Sequence, residues 1–212
     1  MREILYAQAL VEGLRELLDA DERVHLMGQY FLGLTPHREL MGAIRDAFPD
    51  RVYYPPIAEL GYVGTAIGAA IAGLRPIVDI ATASFIFQAF SQIANEAANI
   101  HYMSGGQTKV PVVFHFNHGI RGGGAAQHSH SPQAMLWNTP GLQITMPATA
   151  ADVKGMLPSM FASPNPVFFL THEFIEPMEW DVPDEDYVIP LGKADVKRAN
   201  ERLMDLSSGV AG

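Results

Sequence analysis

The hydrophobic positions of the chain follow two alternating spacings. Apolar residues at intervals of three or four positions predict amphipathic helices, whereas short continuous apolar runs predict strands buried on both faces. The predicted helices cover residues 3–20, 37–48, 61–73, 85–100, 131–137 and 149–162, the last with Thr149 as its N-cap. The predicted strands and extended pieces cover residues 23–27, 52–54, 75–81, 109–116, 142–146 and 166–170.

This alternation of strands and helices predicts an α/β fold, with a parallel sheet covered by helices on both faces. Ligands of such sheets bind at the carboxyl ends of the strands. We therefore expect three segments to meet at that edge: the stretch around Glu59, the turn at residues 81–85, and the histidine-containing loop after residue 116. Phe87 and Phe90, on the predicted helix after the turn, are expected in the core.

The stretch YYPPIAELGYVGTAIGAAIAGLRP, residues 53–76, places one carboxylate at the start of a run of small residues. Pro55 and Pro56 hold the entry extended, so a helix is expected to begin just after them, with Glu59 in its first turn. The helix dipole favours an anionic group there by about 0.3 to 1 kcal/mol. The Gly, Ala, Ile and Val content of residues 61–73 predicts a buried helix. Taken alone, this position favours the interpretation of Glu59 as an ordinary first-turn glutamate without a further role.

The composition limits the classes of function. With 212 residues, 48% of them hydrophobic, we expect one domain over residues 1–180 and an acidic, solvated linker and tail over residues 181–212. The net charge of -9 argues against a nucleic-acid partner. The absence of cysteine excludes disulfides and thiolate metal sites. Without a long apolar run or a signal-peptide pattern, a cytoplasmic protein with no membrane segment is expected.

The loop NHGIRGGGAAQHSHS is the most unusual segment of the chain, because three consecutive glycines allow close approach to a ligand or sharp turning. The loop and the predicted strand before it contain four histidines: His115, His118, His128 and His130. A metal site is one interpretation, but these histidines lack an acidic partner at a regular helical spacing, so we predict no metal site in this chain. The other interpretation is proton transfer by a histidine at neutral pH, since the unperturbed pKa of histidine is about 6.5.

Five motifs in order carry a family resemblance. They are PPIAELGYVGTAIGAAIAGLRPIVDI, HYMSGGQTKVPVVF, GGGAAQHSHSPQA, TPGLQITMPATAADVKGML and NPVFFL. With these motifs, residues 4–193 resemble the beta subunit of the thiamin-diphosphate-dependent first component of 2-oxo acid dehydrogenase complexes. More widely, the chain resembles the pyrimidine-binding domain of the transketolase superfamily, which implies a thiamin-diphosphate-binding α/β domain.

The resemblance also implies roles for particular residues. Glu59 matches the glutamate that hydrogen-bonds the aminopyrimidine ring of the cofactor and keeps it in its reactive tautomer. Phe85 matches the residue whose ring packs on the aminopyrimidine. His128 matches the active-site histidine that faces the substrate, whereas His118 and His130 are expected to serve loop structure or the rim of the substrate pocket.

Three further cofactor contacts are implied: Ile57, Gln88 and Gln29. Gln29 departs from the family, which usually carries an acidic residue at that strand end, and this weakens the expected contact. Ala81 is a second departure, since the family often has a larger side chain there.

The family's diphosphate and magnesium module, marked by Gly-Asp-Gly, does not occur in the sequence. The resemblance therefore implies that an alpha-like subunit supplies the diphosphate and Mg²⁺ ligands, with the active site at the subunit interface. Such beta subunits usually continue into a carboxyl-terminal domain, which we expect here to be deleted, cut off or carried on a separate chain. Self-association is expected as well.

The implied activity is decarboxylation of a 2-oxo acid with transfer of the acyl group. Two alternatives stay open. One is a subunit of a split transketolase-like carboligase, which passes its carbon unit to an aldehyde. The other is a non-catalytic scaffold paralogue that binds an alpha-like subunit without turnover.

Overall fold

Eight strands are present in the computed structural model of the chain, which describes residues 1–28, 37–120 and 124–195. They are β1 (Arg2–Leu5), β2 (Val24–Gly28), β3 (Val52–Tyr53), β4 (Arg75–Thr82), β5 (Val113–His118), β6 (Gln143–Thr145), β7 (Val167–His172) and β8 (Glu179–Val182). Six of them form one parallel sheet in the order β3-β2-β4-β5-β7-β6. The remaining two, β1 and β8, pair with each other in antiparallel orientation.

Helices connect the strands of the parallel sheet. They are α1 (Tyr6–Ala20), α2 (His37–Ala47), α3 (Glu59–Ile71), α4 (Ile86–Ser91), α5 (Ile100–Met103), α6 (Gln133–Trp137) and α7 (Ala150–Ala162). A π-helical segment, Gln92–Ala97, follows α4, and three 3₁₀ turns occur at Ala83–Phe85, Ala126–His128 and Glu173–Ile175. Within the described ranges, no helix is long and apolar enough to cross a membrane.

A separate hydrophobic core lies on each face of the sheet. On one face, Leu14 of α1 and Leu157 of α7 pack with Ile77 of β4. On the other face, Val63 of α3 packs in a cluster with Phe116 of β5. The predicted α/β fold, a parallel sheet with helices on both faces, is therefore confirmed.

The last long helix, α7, has Thr149 as its N-cap, as its sequence predicted, and the cap is a capping box with Asp152. The Thr149 hydroxyl accepts the Asp152 N–H at 3.0 Å, and the Asp152 carboxylate accepts the Thr149 N–H at 3.0 Å. Two of the four unpaired N–H groups at a helix start are satisfied in this way.

The ends of the described chain differ from the sequence prediction. Residues 2–5 form β1 rather than the first turn of a helix, because they pair with β8 and bury Ile4 and Val182. The predicted linker is therefore wrong at residues 181 and 182, which belong to β8. Beyond β8, the Tyr187 hydroxyl donates to the Ala151 carbonyl of α7 at 2.7 Å.

Two predicted elements change their limits. The helix expected over residues 85–100 is divided into α4, the π-helical segment and the start of α5. The strand expected over residues 109–116 begins only at Val113 and continues to His118. Pro111 lies between the buried Val110 and Val112, and since proline has no N–H to donate, it is poorly suited to a central strand.

Candidate functional site

The carboxyl ends of the parallel strands bring three segments to one edge of the sheet. β3 leads into α3, which begins at Glu59. β4 ends at Thr82, directly before the turn Ala83–Phe85. β5 ends at His118, before the loop that contains the turn Ala126–His128. Because β3 and β4 lie on opposite sides of β2, the strand order reverses beside β2, which is where open α/β sheets form a ligand crevice.

Glu59 is buried at the amino end of α3. Glu59 is only 8% exposed. The residue before it, Ala58, makes no side-chain hydrogen bond that caps the helix. Among the described residues, the Glu59 carboxylate has no hydrogen-bond partner. A buried carboxylate without a partner is unfavourable unless a ligand supplies a donor. The Glu59 carboxylate is therefore free to accept a hydrogen bond.

A bulge in β4 directs the chain into the next part of the site. The register between β4 and β5 shifts between Asp79 and Thr82. Within the bulge, Ala81 has a φ of 67°, which is uncommon for a residue with a side chain. The Ala81 N–H donates to the Asp79 carboxylate at 3.0 Å and so stabilises this conformation.

The turn after β4 contacts the histidine loop. The ring of Phe85 meets the ring of His128 edge to face, with 5.3 Å between centroids. The Ser84 hydroxyl lies 2.7 Å from Nδ1 of His130. Two residues for which the family resemblance implies a role, Phe85 and His128, are therefore brought into direct contact.

Phe87 lies at the edge of this cluster, not in the core. It is 53% exposed and meets His130 edge to face at 5.5 Å between centroids. The prediction of Phe87 as a core residue is therefore wrong. Phe90, for which the same was predicted, packs partly buried against the core.

Two further histidines, His118 and His172, lie in contact at the same edge of the sheet. His118 and His172 are register neighbours on β5 and β7, and their rings meet edge to face at 5.3 Å. Burial, and then the neighbouring His172, lowers the pKa of His118 to about 4. The backbone turns at Gly119, which has a φ of 83° and whose N–H donates to the His130 carbonyl at 2.9 Å. A side chain at Gly119 would collide with the His172 ring.

Beneath this edge, a buried polar network crosses β4, β5 and β7. His115 Nδ1 lies 2.9 Å from the Asp79 carboxylate, and His115 Nε2 lies 2.8 Å from the Thr171 hydroxyl. The Thr171 hydroxyl contacts the Asn117 side-chain carbonyl, and the Asn117 amide donates to the Glu176 carboxylate at 2.8 Å. Polar groups buried in low dielectric interact strongly when they are fully paired, so the network stiffens the base of the site.

Much of this arrangement was not predicted from the sequence. His172, Thr171 and Asp79 lie inside apolar strands, where the only available signal was a polar residue interrupting a buried run. Their pairing with β5 depends on strand register, which the sequence did not provide.

Two of the other expected cofactor contacts, Ile57 and Gln88, are exposed. Ile57 is 80% exposed in the segment before α3. Gln88 is exposed on α4, one turn beyond the 3₁₀ turn. Gln29 lies outside the described residues.

The histidines do not form a metal centre within the described part of the chain. No group of three or more histidine and acidic side chains there is arranged to hold a metal ion. The histidine loop contacts aromatic rings and a serine hydroxyl instead.

Comparison with known proteins gives a family match over most of the chain. Residues 2–174 match the family described as "Transketolase, pyrimidine binding domain". The chain is 38% identical over 212 residues to the pyruvate dehydrogenase E1 component subunit beta of Rhizobium meliloti, covering 99% of the chain and 46% of the relative. It is 39% identical over 209 residues to the mitochondrial E1 subunit beta of Caenorhabditis elegans, covering 95% of the chain and 59% of the relative.

The human mitochondrial E1 subunit beta is 35% identical over 210 residues, covering 97% of the chain and 58% of the relative. The chain thus spans about half the length of these relatives. Among solved structures, a protein titled "Split gene transketolase, inactive beta4 tetramer" matches with a TM-score of 0.64 and 23% identity. That match covers 79% of the chain and 50% of the solved protein, and it supports the fold alone.

Proposed function

The chain belongs to the transketolase pyrimidine-binding domain family, as its motifs predicted, and on this basis we propose that it binds the aminopyrimidine end of thiamin diphosphate in a two-subunit enzyme. The enzyme decarboxylates a 2-oxo acid and transfers the acyl group, as the similarity to E1 beta subunits suggests. One observation carries the proposal: the buried Glu59 carboxylate at the start of α3 has no hydrogen-bond partner among the described residues.

Glu59 accepts a hydrogen bond from the pyrimidine ring nitrogen and holds the proton at that atom. The amino end of α3 stabilises the negative charge of the carboxylate that does this. When bound, thiamin diphosphate supplies a nucleophilic thiazolium carbon and an electron sink for decarboxylation. The low exposure of Glu59, 8%, reduces the competition of water for this hydrogen bond.

Phe85 and His128 act as neighbours in the proposed site. The face of Phe85 provides a platform for the pyrimidine ring, while its contact with His128 fixes the position of the imidazole. His128 is half-buried, so its ring reaches both the site and solvent. It gives or takes a proton at the substrate, a role suited to an imidazole at neutral pH. Ile57, Gln88 and Gln29 are retained as proposed outer contacts.

An alpha-like subunit is the proposed partner for the other half of the cofactor. The chain has no Gly-Asp-Gly motif, and the described residues contain no metal-binding group of acidic and histidine side chains. The partner therefore provides the ligands for the diphosphate and Mg²⁺.

The outer face of α3 is the proposed interface for pairing, either with the alpha-like subunit or with a second copy. Its exposed residues are uncharged: Leu60, Gly61, Thr65, Gly68 and Ile71. This corrects the expectation of a fully buried helix, since only one face of α3 is covered in the single chain. An apolar face without charge favours association. Light scattering over a range of concentrations tests this, and a strictly monomeric chain at high concentration would contradict self-association.

Calorimetry with thiamin diphosphate and Mg²⁺ tests the proposed function. The isolated chain is expected to bind weakly, because the diphosphate and metal ligands are absent from it, whereas the co-purified two-chain complex is expected to bind tightly. Tight binding to the isolated chain would contradict the interface proposal. A complex that binds but gives no thiamin-dependent proton exchange would favour the scaffold alternative, and turnover only with an aldehyde acceptor would favour the carboligase. A cytoplasmic location stays a prediction.

A further inference from the structure

Tyr62 carries a buried hydroxyl that the fold leaves unpaired. It lies in the first turn of α3, three residues after Glu59, so that the two side chains share one face of the helix. Tyr62 is 5% exposed, and within the described residues its hydroxyl oxygen has no hydrogen-bond partner. Buried tyrosine hydroxyls usually find a partner, so this one requires an explanation.

A second buried tyrosine, Tyr6, has a hydroxyl that is paired. Tyr6 is fully buried, and its hydroxyl donates to the Pro147 carbonyl at 3.0 Å. Tyr62 fills its part of the core with its ring alone, and phenylalanine would provide the same apolar volume. The Tyr62 hydroxyl therefore has no structural role comparable to that of the Tyr6 hydroxyl.

Two carboxylates, those of Glu59 and Asp79, act on the Tyr62 hydroxyl. Burial, and after it the charges of Glu59 and then Asp79, raise the pKa of the Tyr62 phenol, so the hydroxyl stays protonated as a donor at neutral pH. The Asp79 Oδ1 atom already accepts hydrogen bonds from Ala81 and His115. Glu59, a residue that is 8% exposed and lies on the same helix face, makes no side-chain hydrogen bond to another described residue.

We propose that Tyr62 is a positioning residue for Glu59, donating a hydrogen bond to one carboxylate oxygen while the other accepts the N–H of the bound pyrimidine ring. This rests on the proposed function of Glu59. A carboxylate has two oxygens and can accept from both donors at once. The structure of the chain alone does not contain this hydrogen bond. When the pyrimidine ring binds one carboxylate oxygen, the Tyr62 hydroxyl donates to the other and fixes the orientation of the carboxylate.

The variant Tyr62→Phe tests the proposal, because it removes only the hydroxyl. In the isolated chain, urea denaturation is expected to show a midpoint equal to or above that of the wild type, since no hydrogen bond is lost. The matched variant Tyr6→Phe is expected to lower the midpoint, because the Pro147 carbonyl loses its donor. In the complex with the alpha-like subunit, Tyr62→Phe is expected to slow proton exchange at the thiazolium carbon by about tenfold, as for loss of a hydrogen bond to a charged group. Tyr6→Phe should leave that exchange unchanged.

The outcomes separate this inference from the proposed function when Glu59→Gln is measured in parallel. If Glu59→Gln stops exchange but Tyr62→Phe exchanges at the wild-type rate, the positioning role is wrong and the proposed function stands. If Glu59→Gln also exchanges at the wild-type rate, the proposed function itself fails. A loss of stability in Tyr62→Phe as large as that in Tyr6→Phe would show a structural partner for the hydroxyl and overturn the inference.

Discussion

The imidazole of His115 lies 2.9 Å from the carboxylate of Asp79, with both side chains fully buried between β4 and β5. The same carboxylate oxygen accepts the N–H of Ala81, whose φ of 67° marks the bulge in β4. This pair therefore holds the bend that leads to Phe85. It connects the buried base of the sheet to the segment that we propose contacts the cofactor.

Replacement of His115 by leucine tests this support. The change removes the imidazole from a buried carboxylate, and we expect the free energy of unfolding to fall by about 3 kcal/mol, as for a broken buried pair. Urea denaturation measures the change. The double variant with Asp79→Leu should recover part of the loss, because it removes both buried polar groups. An unchanged midpoint for His115→Leu would mean that the pair does not stabilise the fold.

The lowered pKa of His118 predicts that the folded chain loses stability in acid. Its pKa in the folded chain is about 4, below the ordinary value of 6.5, because of burial and the nearby His172. The unfolded chain therefore binds the proton more readily, so the contribution of His118 is fully present above pH 6.5 and is lost as the pH falls toward 4. Calorimetric Tm values between these limits should fall less steeply in His118→Asn than in the wild type. Parallel profiles would contradict this, and exposed His101→Asn serves as the control.

The fold was largely predictable because its periodicity is strong. The continuous apolar runs of β4 and β7 reflect strands that are buried on both faces. The amphipathic spacing of α1 reflects a helix that is buried on one face. The family resemblance was carried by ordered motifs and is confirmed by the family match. Errors arose where a tertiary contact outweighed the local pattern, as at residues 2–5, which pair with β8.

The candidate site was predictable only in part. Glu59 was singled out by the family resemblance, and the predicted helix start after Pro55 and Pro56 agrees with α3. The unpaired hydroxyl of Tyr62 was not predictable, because its lack of a partner depends on side-chain packing. The contact of His172 with His118 depends on the register of β5 and β7. Phe87 was assigned to the core because the sequence did not show that its face of α4 is exposed.

His128→Ala is expected to separate substrate chemistry from cofactor activation. His128 contacts Phe85 but no carboxylate in the described site, so its loss should leave thiazolium proton exchange nearly intact. Turnover should fall by about 10² to 10⁴, as for a lost proton donor or positioning group. Exchange is followed by proton NMR beside a turnover assay on the two-chain complex, with His101→Ala as the control. Equal losses of exchange and turnover would instead assign His128 to the cofactor.

The most direct test of the central claim is proton exchange at the thiazolium carbon in the two-chain complex carrying Glu59→Gln. The substitution keeps the shape of the side chain but removes the carboxylate that accepts the pyrimidine N–H. Exchange is measured by proton NMR in deuterated water with Mg²⁺ and no substrate, so that activation is observed alone. We predict exchange no faster than that of the free cofactor, with cofactor binding still detectable by calorimetry. Exchange at the wild-type rate would contradict the assignment of Glu59.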